Sequence, residues 1–443
     1  MYSNTTAESD CQVVDTLVRE QPHGVASHLK ILHDAGVDEE GKTGRLYFAL
    51  EVMNSLYSST KERWDAYIGS GLPTVLLDII SDKSTLVPGN DSDARYCEAI
   101  LTSISLVADH VQRMDEAVGA GLVKTLIDLA PPMWDALWSR RQMFDVGSPV
   151  AGELRDVFSQ VSATYLSLCT RRAAALPPPL LATRFGHVVM YVWVTTVNCD
   201  QDDEALAILE ELSANTSVED LVAFTEETII NTVGPAALIE RFITWLSQSW
   251  VHGEHLVACL HCMYLFCCHP AVNSHLGAAG MFDSLCDATR RQRLTGNTVD
   301  EWNAIGSFAP YIEATFIRSL EQRSLETINR LDDLLFLLAR GTLLGAEFGI
   351  MQHLDHWVHL YQHTGGLARV ARGQSNNHYF LEKLRAAAQP VWYPTLESLR
   401  SQSPATSTVA QAHTRMLDAW AELGASLGFE VPHTDASMDI DRT

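Results

Sequence analysis

The residues whose types best fit a metal site lie between His255 and His269. This segment carries His255, Cys259, Cys262 and His269, and imidazole and thiolate groups are the ligands that zinc prefers in proteins. On a predicted helix the four side chains fall within one stripe. Zinc fingers, however, pair two Cys-x-x-Cys motifs across a loop, and the chain has no second such motif. Because the rest of the segment is apolar on every side, we expect a buried helix whose cysteines act as small apolar side chains, and we predict no metal site.

Two adjacent aspartates, Asp332 and Asp333, form a second candidate site. Paired carboxylates on a helix resemble the magnesium motif of terpene synthases, which are all-α enzymes. That motif has an acidic residue three positions after the pair, where this chain has Phe336. We therefore keep an all-α enzyme or a metal-binding protein, using either this pair or the Cys/His helix, only as the alternative function.

The remaining polar patterns predict no chemistry. His356, His359 and His363 share one face of a predicted helix with His353 close by, and we expect a solvated polar face there. The chain lacks a Gly-x-Ser-x-Gly elbow, a phosphate-binding loop and a dinucleotide fingerprint. We therefore predict no catalytic residues, no cofactor and a non-enzymatic protein.

A short pattern that recurs three times predicts the architecture. Its glycines are Gly71, Gly121 and Gly280, each with a small residue before it, an apolar residue after it, leucine at plus five and aspartate at plus seven. Glycine readily takes the left-handed conformation that closes a helix, and the apolar positions that follow have helical spacing. We therefore predict a tight corner between two helices at each of these glycines.

These corners resemble the joints of armadillo-like helical repeats. The resemblance implies an all-α fold, namely an irregular armadillo/HEAT-like α-solenoid of stacked helix pairs, with a generic helical bundle as the alternative. The glycines are unevenly spaced and further apart than the roughly 40–47 residues of such repeats, so we expect a degenerate array. The chain is also similar to the helical region that accompanies MYND-type zinc fingers in fungal proteins, although the dense Cys-x-x-Cys pairs of the finger itself are absent.

Composition limits the partners. The 443 residues include 55 acidic and 31 basic side chains, for a net charge of −24, which argues against nucleic acid or an anionic membrane as the main partner. The nine cysteines, without an apolar leader, predict reduced thiols in an intracellular protein, cytoplasmic or nuclear. The oligomeric state is left open.

Proline and polar segments predict the domain organisation, with the main break at Pro177-Pro178-Pro179. We predict a disordered N-terminus (1–10), N-terminal helical repeats (11–176), C-terminal helical repeats continuous with them (180–400), a linker (401–409), a terminal helix (410–427) and a disordered tail (428–443). The function that this organisation favours is protein–protein interaction or scaffolding, with an unknown protein or peptide bound in a helical-repeat groove.

Overall fold

The computed structural model describes residues 4–35, 44–56, 63–82, 91–145, 151–172, 178–196, 203–276, 280–295, 330–348, 351–373, 378–404 and 406–430. Throughout these ranges the regular secondary structure is helical, and none of it is strand. The prediction of an all-α fold is therefore confirmed for the described part of the chain. By its internal contacts the chain divides into two compact units, Met1–Leu238 and Ile239–Thr443.

The α-helices are labelled in chain order. Up to and across the unit boundary they are α1 Asn4–Glu20, α2 Val25–Asp34, α3 Gly44–Leu56, α4 Trp64–Gly69, α5 Leu72–Ser81, α6 Asp91–Arg113, α7 Glu116–Ser139, α8 Ala151–Ser167, α9 Phe185–Thr195, α10 Asp203–Ser213, α11 Val218–Phe224 and α12 Pro235–Leu246, which crosses it. Those that follow are α13 Gly253–Cys267, α14 Pro270–Asn273, α15 Met281–Thr295, α16 Leu331–Phe348, α17 Met351–Gly373, α18 His378–Ser401 and α19 Ser407–Leu427. Two π-helical segments, Leu168–Arg172 and Thr225–Val233, continue α8 and α11.

The first unit is built as two rows of stacked helices. One row packs α1, α3, α6, α8 and α10 in succession, and the other packs α2, α5, α7 and α9. Because each helix meets its row neighbours rather than only the next helix in sequence, the unit has the layered packing of an α-solenoid. Trp134 of α7 is buried between the rows, with its ring centroid 5.2 Å from that of Tyr165 and 4.6 Å from that of Phe185.

Two of the three glycines predicted as corners lie at helix boundaries. Gly71 has φ +91° and separates α4 from α5, which begins at once with the buried Leu72. Gly280 has φ +92° and directly precedes α15, while residues 277–279 lie outside the described part of the chain. Both glycines take the left-handed backbone that the sequence pattern calls for.

The prediction of a corner at Gly121 is wrong. The turn after α6 lies earlier, at Asp115 (φ −56°, ψ 139°), and α7 begins at Glu116 and runs through Gly121. A helix accepts an interior glycine at a cost of about 1 kcal/mol, so the same letters fit a corner or a helix. The longer α7 also passes through Pro131 and Pro132 and thereby brings Trp134 into the core.

The second unit closes with four helices, α16 to α19, each of which contacts the other three. A reciprocal pair of tryptophans joins α18 to α19. The indole N–H of Trp392 donates to the carbonyl of Trp420, and the indole N–H of Trp420 donates to the carbonyl of Trp392, both at 3.0 Å. The ring of Trp392 lies directly on Gly424, where an added Cβ would fall 2.0 Å from Cε2. The missing side chain of Gly424 therefore makes room for the tryptophan pair.

Glycine and proline are sequence signals for helix ends, but in this unit they lie inside helices. The sequence predicts a helix end at Gly365-Gly366, and this prediction is wrong, because α17 continues to Gly373. Gly365 instead lets α17 approach α19, since an added Cβ there would lie 3.0 Å from Ser426 Oγ. Pro390 and Pro394 predict an interruption of the next helix, and this is also wrong, because α18 runs through both.

The segment predictions have mixed outcomes. The helix α1 begins at Asn4, inside the stretch 1–10 that the sequence predicts to be disordered. The terminal helix is present as α19, and it begins at Ser407, inside the predicted linker. Most of the predicted disordered tail, residues 431–443, lies outside the described residues. The predicted division into repeats 11–176 and 180–400 concerns repeat boundaries, which the compact units do not test, and it stays a prediction.

The corner at Gly71 and the helix interior at Gly121 predict opposite effects of the same substitution. We expect Gly121→Ala to raise the free energy of unfolding by about 0.5–1 kcal/mol, because alanine favours a helix and no atom lies within 4 Å of the added Cβ. We expect Gly71→Ala to lower it by about 1–2 kcal/mol, because alanine is strained at positive φ. Urea denaturation of both variants checks this, and equal destabilisation by the two would contradict the helical position of Gly121.

The tryptophan pair predicts that Gly424 tolerates no side chain. We expect Gly424→Ala to destabilise the protein by about 1–3 kcal/mol, because its methyl group would overlap the Trp392 ring. Gly366→Ala is the matched control, since it also lies inside a long helix but has no atom within 4 Å of the added Cβ. The midpoint of thermal unfolding should be lower for Gly424→Ala than for Gly366→Ala, and similar midpoints would rule out the close packing of Trp392 on Gly424.

Candidate functional site

The structure does not gather the Cys/His helix into a metal site. His255 lies exposed at the start of α13, whereas Cys259 and Cys262 are fully buried in its core-facing side. His269 follows the helix, and its Nδ1 accepts a hydrogen bond from the backbone N–H of Ala271 at 3.3 Å. Burial raises the pKa of the Cys259 thiol well above its usual value. Among the described residues, no group of three or more His, Cys, Asp or Glu side chains could hold a metal ion.

The histidine face is only partly described. His359 and His363 are exposed on α17, as the sequence predicts. The side chains of His353 and His356 lie outside the described part of the chain.

The aspartate pair begins α16, and its two members differ. Asp332 is exposed, whereas Asp333 accepts hydrogen bonds from Arg330, at 2.9 Å, and from Arg290 of α15. The Asp333 carboxylate is thus matched by two guanidinium groups from within the protein. One member of the pair that the sequence offers as an alternative magnesium site, Asp333, therefore links α16 to α15.

Arg330 is the centre of that link. Besides Asp333, it contacts two carboxylates of α15, that of Asp283 at 2.5 Å and that of Asp287 at 3.4 Å. The hydrogen bonds to Asp333 and Asp283 raise the pKa of Arg330, so its positive charge is held firmly. These contacts set the start of α16 against the first two turns of α15.

The opposite face of α15 is fixed to the core of the second unit. The buried Gln292 side chain accepts a hydrogen bond from the backbone N–H of Gly253, at the start of α13, at 2.5 Å. The hydroxyl groups of Ser284 and Ser247 lie 3.0 Å apart. The helix α15 therefore presents its remaining face to α16 from a rigid base.

A groove of about 170 Å³ lies where these two helices face each other. Its lining comes from two stripes with the same helical spacing, i, i+3, i+4 and i+7, one on each helix. The α15 stripe is Cys286, Thr289, Arg290 and Arg293, and the α16 stripe is Asp333, Phe336, Leu337 and Arg340. We call this cavity the α15–α16 groove.

The groove is cationic at one end and apolar along its floor. The guanidinium of Arg293 lies over the ring of Phe336, with its carbon 4.2 Å from the ring centroid. Burial raises the pKa of the Cys286 thiol to about 12, so it remains protonated at neutral pH and is a poor nucleophile. The volume is well below the roughly 300–1,000 Å³ of small-molecule and cofactor pockets, and it matches one or two protein side chains.

A second polar cluster lies in the first unit, around His187 of α9. His187 is buried, its Nδ1 lies 2.5 Å from the hydroxyl of Thr228, and its Nε2 lies 3.2 Å from the guanidinium of Arg184. Arg184 in turn donates to Glu227 at 2.5 Å. Burial first, and then the charge of Arg184, lowers the pKa of His187 to about 4. The contact between His187 and Thr228 joins the π-helical segment Thr225–Val233 to α9. Because Thr228 is fully buried, its hydroxyl is not accessible from solvent.

Sequence reasoning missed both sets of partners. The apolar run from Phe185 to Val197 predicts a buried helix, and α9 confirms this for 185–195, but a lone histidine in such a run gives no sign of its contacts. The arginines of the α15–α16 groove have helical spacing in sequence, yet nothing local shows that Phe336 and Arg340 face them.

Comparison with known proteins does not show a family. No protein-family model matches the chain, and no curated protein matches it. Among solved structures, the chain is similar to a circular tandem repeat protein with novel repeat topology and enhanced subunit contact surfaces, at 10% identity, with 96% of this chain and 98% of that chain covered and a TM-score of 0.27. This TM-score is too low to establish a shared fold, and we draw no conclusion from it. None of the helices in the described ranges is both long enough and apolar enough to span a bilayer.

The His187 cluster predicts a loss of stability in mild acid. The unfolded chain takes up a proton at His187 near pH 6.5, and the folded chain does so only near pH 4, so the free energy of unfolding falls as the pH drops between these values. The slope from this one residue reaches about 1.4 kcal/mol per pH unit. We expect His187→Gln, which cannot titrate, to show a shallower decline in urea midpoint from pH 6.5 to 4.5. Parallel declines in the two proteins would contradict a depressed pKa at His187.

Proposed function

We propose that this protein is a non-enzymatic scaffold that binds a partner protein through its helical surface, and that the α15–α16 groove is part of the binding surface. The observation that carries the proposal is the groove itself, in which arginine and aromatic side chains stand together at the surface of a helix pair. Arginine and aromatic residues are enriched at the energetic centres of protein interfaces.

The surroundings of the groove support a protein partner. Leu294, the next residue after Arg293, is 79% exposed, and Phe336 is 38% exposed. Large apolar side chains beside arginines offer burial and charge-assisted hydrogen bonds to the same ligand. The two helices that carry them are held by the Arg330 ion pairs, so the surface is preorganised and loses little entropy on binding.

The chemistry of the groove supports binding rather than catalysis. Its carboxylate, Asp333, is paired with Arg290 and Arg330, and its thiol, Cys286, is protonated at neutral pH. Neither group is poised to accept a proton or to attack a substrate. We therefore propose that the groove positions a partner without changing it covalently.

The cysteines support an intracellular site of action, which we propose as part of this function. All the cysteines whose side chains are described are thiols, and most are buried. Thiols persist in the reducing interior of the cell.

A photo-reactive amino acid at Leu294 tests the proposal, because this exposed residue directly follows Arg293, which lines the groove. We expect irradiation of cells to cross-link it to one identified protein, which forms the same adduct when both proteins are purified. The same amino acid at Val370, which is 56% exposed on α17, is the matched control and should not form that adduct. The proposal is refuted if the protein labelled at Leu294 forms no adduct, or forms only adducts that the protein labelled at Val370 also forms.

A further inference from the structure

We infer that the α15–α16 groove recognises an acidic segment of the partner, in which a carboxylate side chain binds Arg293 while a neighbouring apolar side chain packs on Phe336. This inference rests on the proposed function and names the chemistry of the partner.

The charges within the groove are segregated along it. At one end Asp283, Asp287 and Asp333 are linked to Arg290 and Arg330. Further along both helices, the exposed side chain of Arg293 lines the groove beside Phe336. Arg293 therefore offers a positive charge at this end, even though the chain as a whole carries a net charge of −24.

Local charge decides what binds here. At physiological ionic strength the Debye length is about 8 Å, so a ligand beside Arg293 feels the charge of this arginine far more than that of the acidic residues elsewhere on the chain. A long polyanion such as nucleic acid would extend over that acidic surface and be repelled. A short acidic segment of a protein matches the groove without meeting this repulsion.

Arg293 is prepared for a carboxylate. The carbon of its guanidinium lies 4.2 Å from the centroid of the Phe336 ring, a cation–π contact that restrains the side chain. A carboxylate is the side chain that accepts two parallel hydrogen bonds from a guanidinium. Within the described part of the chain, no carboxylate forms an ion pair with Arg293.

The apolar neighbours specify more than an anion. Phe336 lies under the Arg293 guanidinium, Leu294 follows Arg293 on α15, and both apolar side chains are exposed, so a ligand that carries only charge would leave them in water. A segment with an acidic residue beside a leucine or phenylalanine satisfies both features. Free phosphate or another small anion satisfies only one.

Binding of a defined peptide to the full chain tests this inference. The probe is a fluorescein-labelled peptide of sequence Glu-Asp-Leu-Phe-Glu-Asp, and its matched control is Gln-Asn-Leu-Phe-Gln-Asn. We expect fluorescence anisotropy to show the acidic probe binding at least about tenfold more tightly than the amide control, in line with the strength of charge-assisted hydrogen bonds.

Variants locate the binding. We expect Arg293→Gln to weaken the acidic probe about tenfold or more, Arg293→Lys to weaken it less, and Phe336→Ala to weaken both peptides. Arg400→Gln removes an exposed arginine of α18 in the same unit and should change affinity less than about twofold. Circular dichroism and the thermal midpoint establish that each variant is folded.

Three outcomes overturn the inference. In the first, the acidic probe and the amide control bind the protein with equal affinity. In the second, the probe binds folded Arg293→Gln as tightly as the unchanged protein. In the third, millimolar inorganic phosphate displaces the probe and Phe336→Ala leaves its affinity unchanged. If one of these occurs while the Leu294 cross-link forms, the partner binds the groove by other chemistry and the proposed function stands. If the cross-link also fails, the proposed function fails with it.

Discussion

The ion pairs around Arg330 are the contact on which the groove depends. A single guanidinium bonds to carboxylates on two helices, and one of those carboxylates is shared with Arg290. Exposed ion pairs contribute little to stability one by one, but a network with several shared members fixes the relative position of its helices. With the start of α16 held against α15, their two stripes of side chains face each other, and the groove between them follows.

Within each unit, large buried side chains hold the helices together. In the first unit, two rows of helices bury aromatic side chains such as Trp134 between them. In the second, glycines that oppose tryptophans let long helices approach closely, as Gly424 does for Trp392. Both devices bury large apolar area, which is the main source of stability in a chain where only 19% of the residues are charged.

The sequence predicts the fold class well and the role of individual signals less well. Helical periodicity reports which face of a segment is apolar, and that is enough to predict stacked helices. Glycine and proline are weaker signals, because their cost in a helix is a few kcal/mol at most and packing can outweigh it. Gly71 ends a helix and Gly121 does not, although their flanking residues match, because the turn before α7 already lies at Asp115.

The groove shows the same limit for function. The sequence draws attention to Asp333 because it adjoins another aspartate, and magnesium binding by the pair is only its alternative interpretation. The partners that decide its role are Arg290, more than forty positions earlier in the chain, and Arg330, whose contacts with α15 depend on the folded arrangement. Long-range contacts of this kind leave no periodic pattern in one sequence, so the groove could only be found in the structure.

Hydrogen–deuterium exchange of the full chain, with and without a saturating concentration of the acidic peptide, tests the central claim most directly. Exchange reports the amides that binding stabilises, without any substitution in the protein. The account predicts slower exchange in Met281–Thr295 and Leu331–Phe348, and unchanged exchange in the helices of the first unit. Slowed exchange confined to other helices, or none at saturation, would contradict the α15–α16 groove as the binding site.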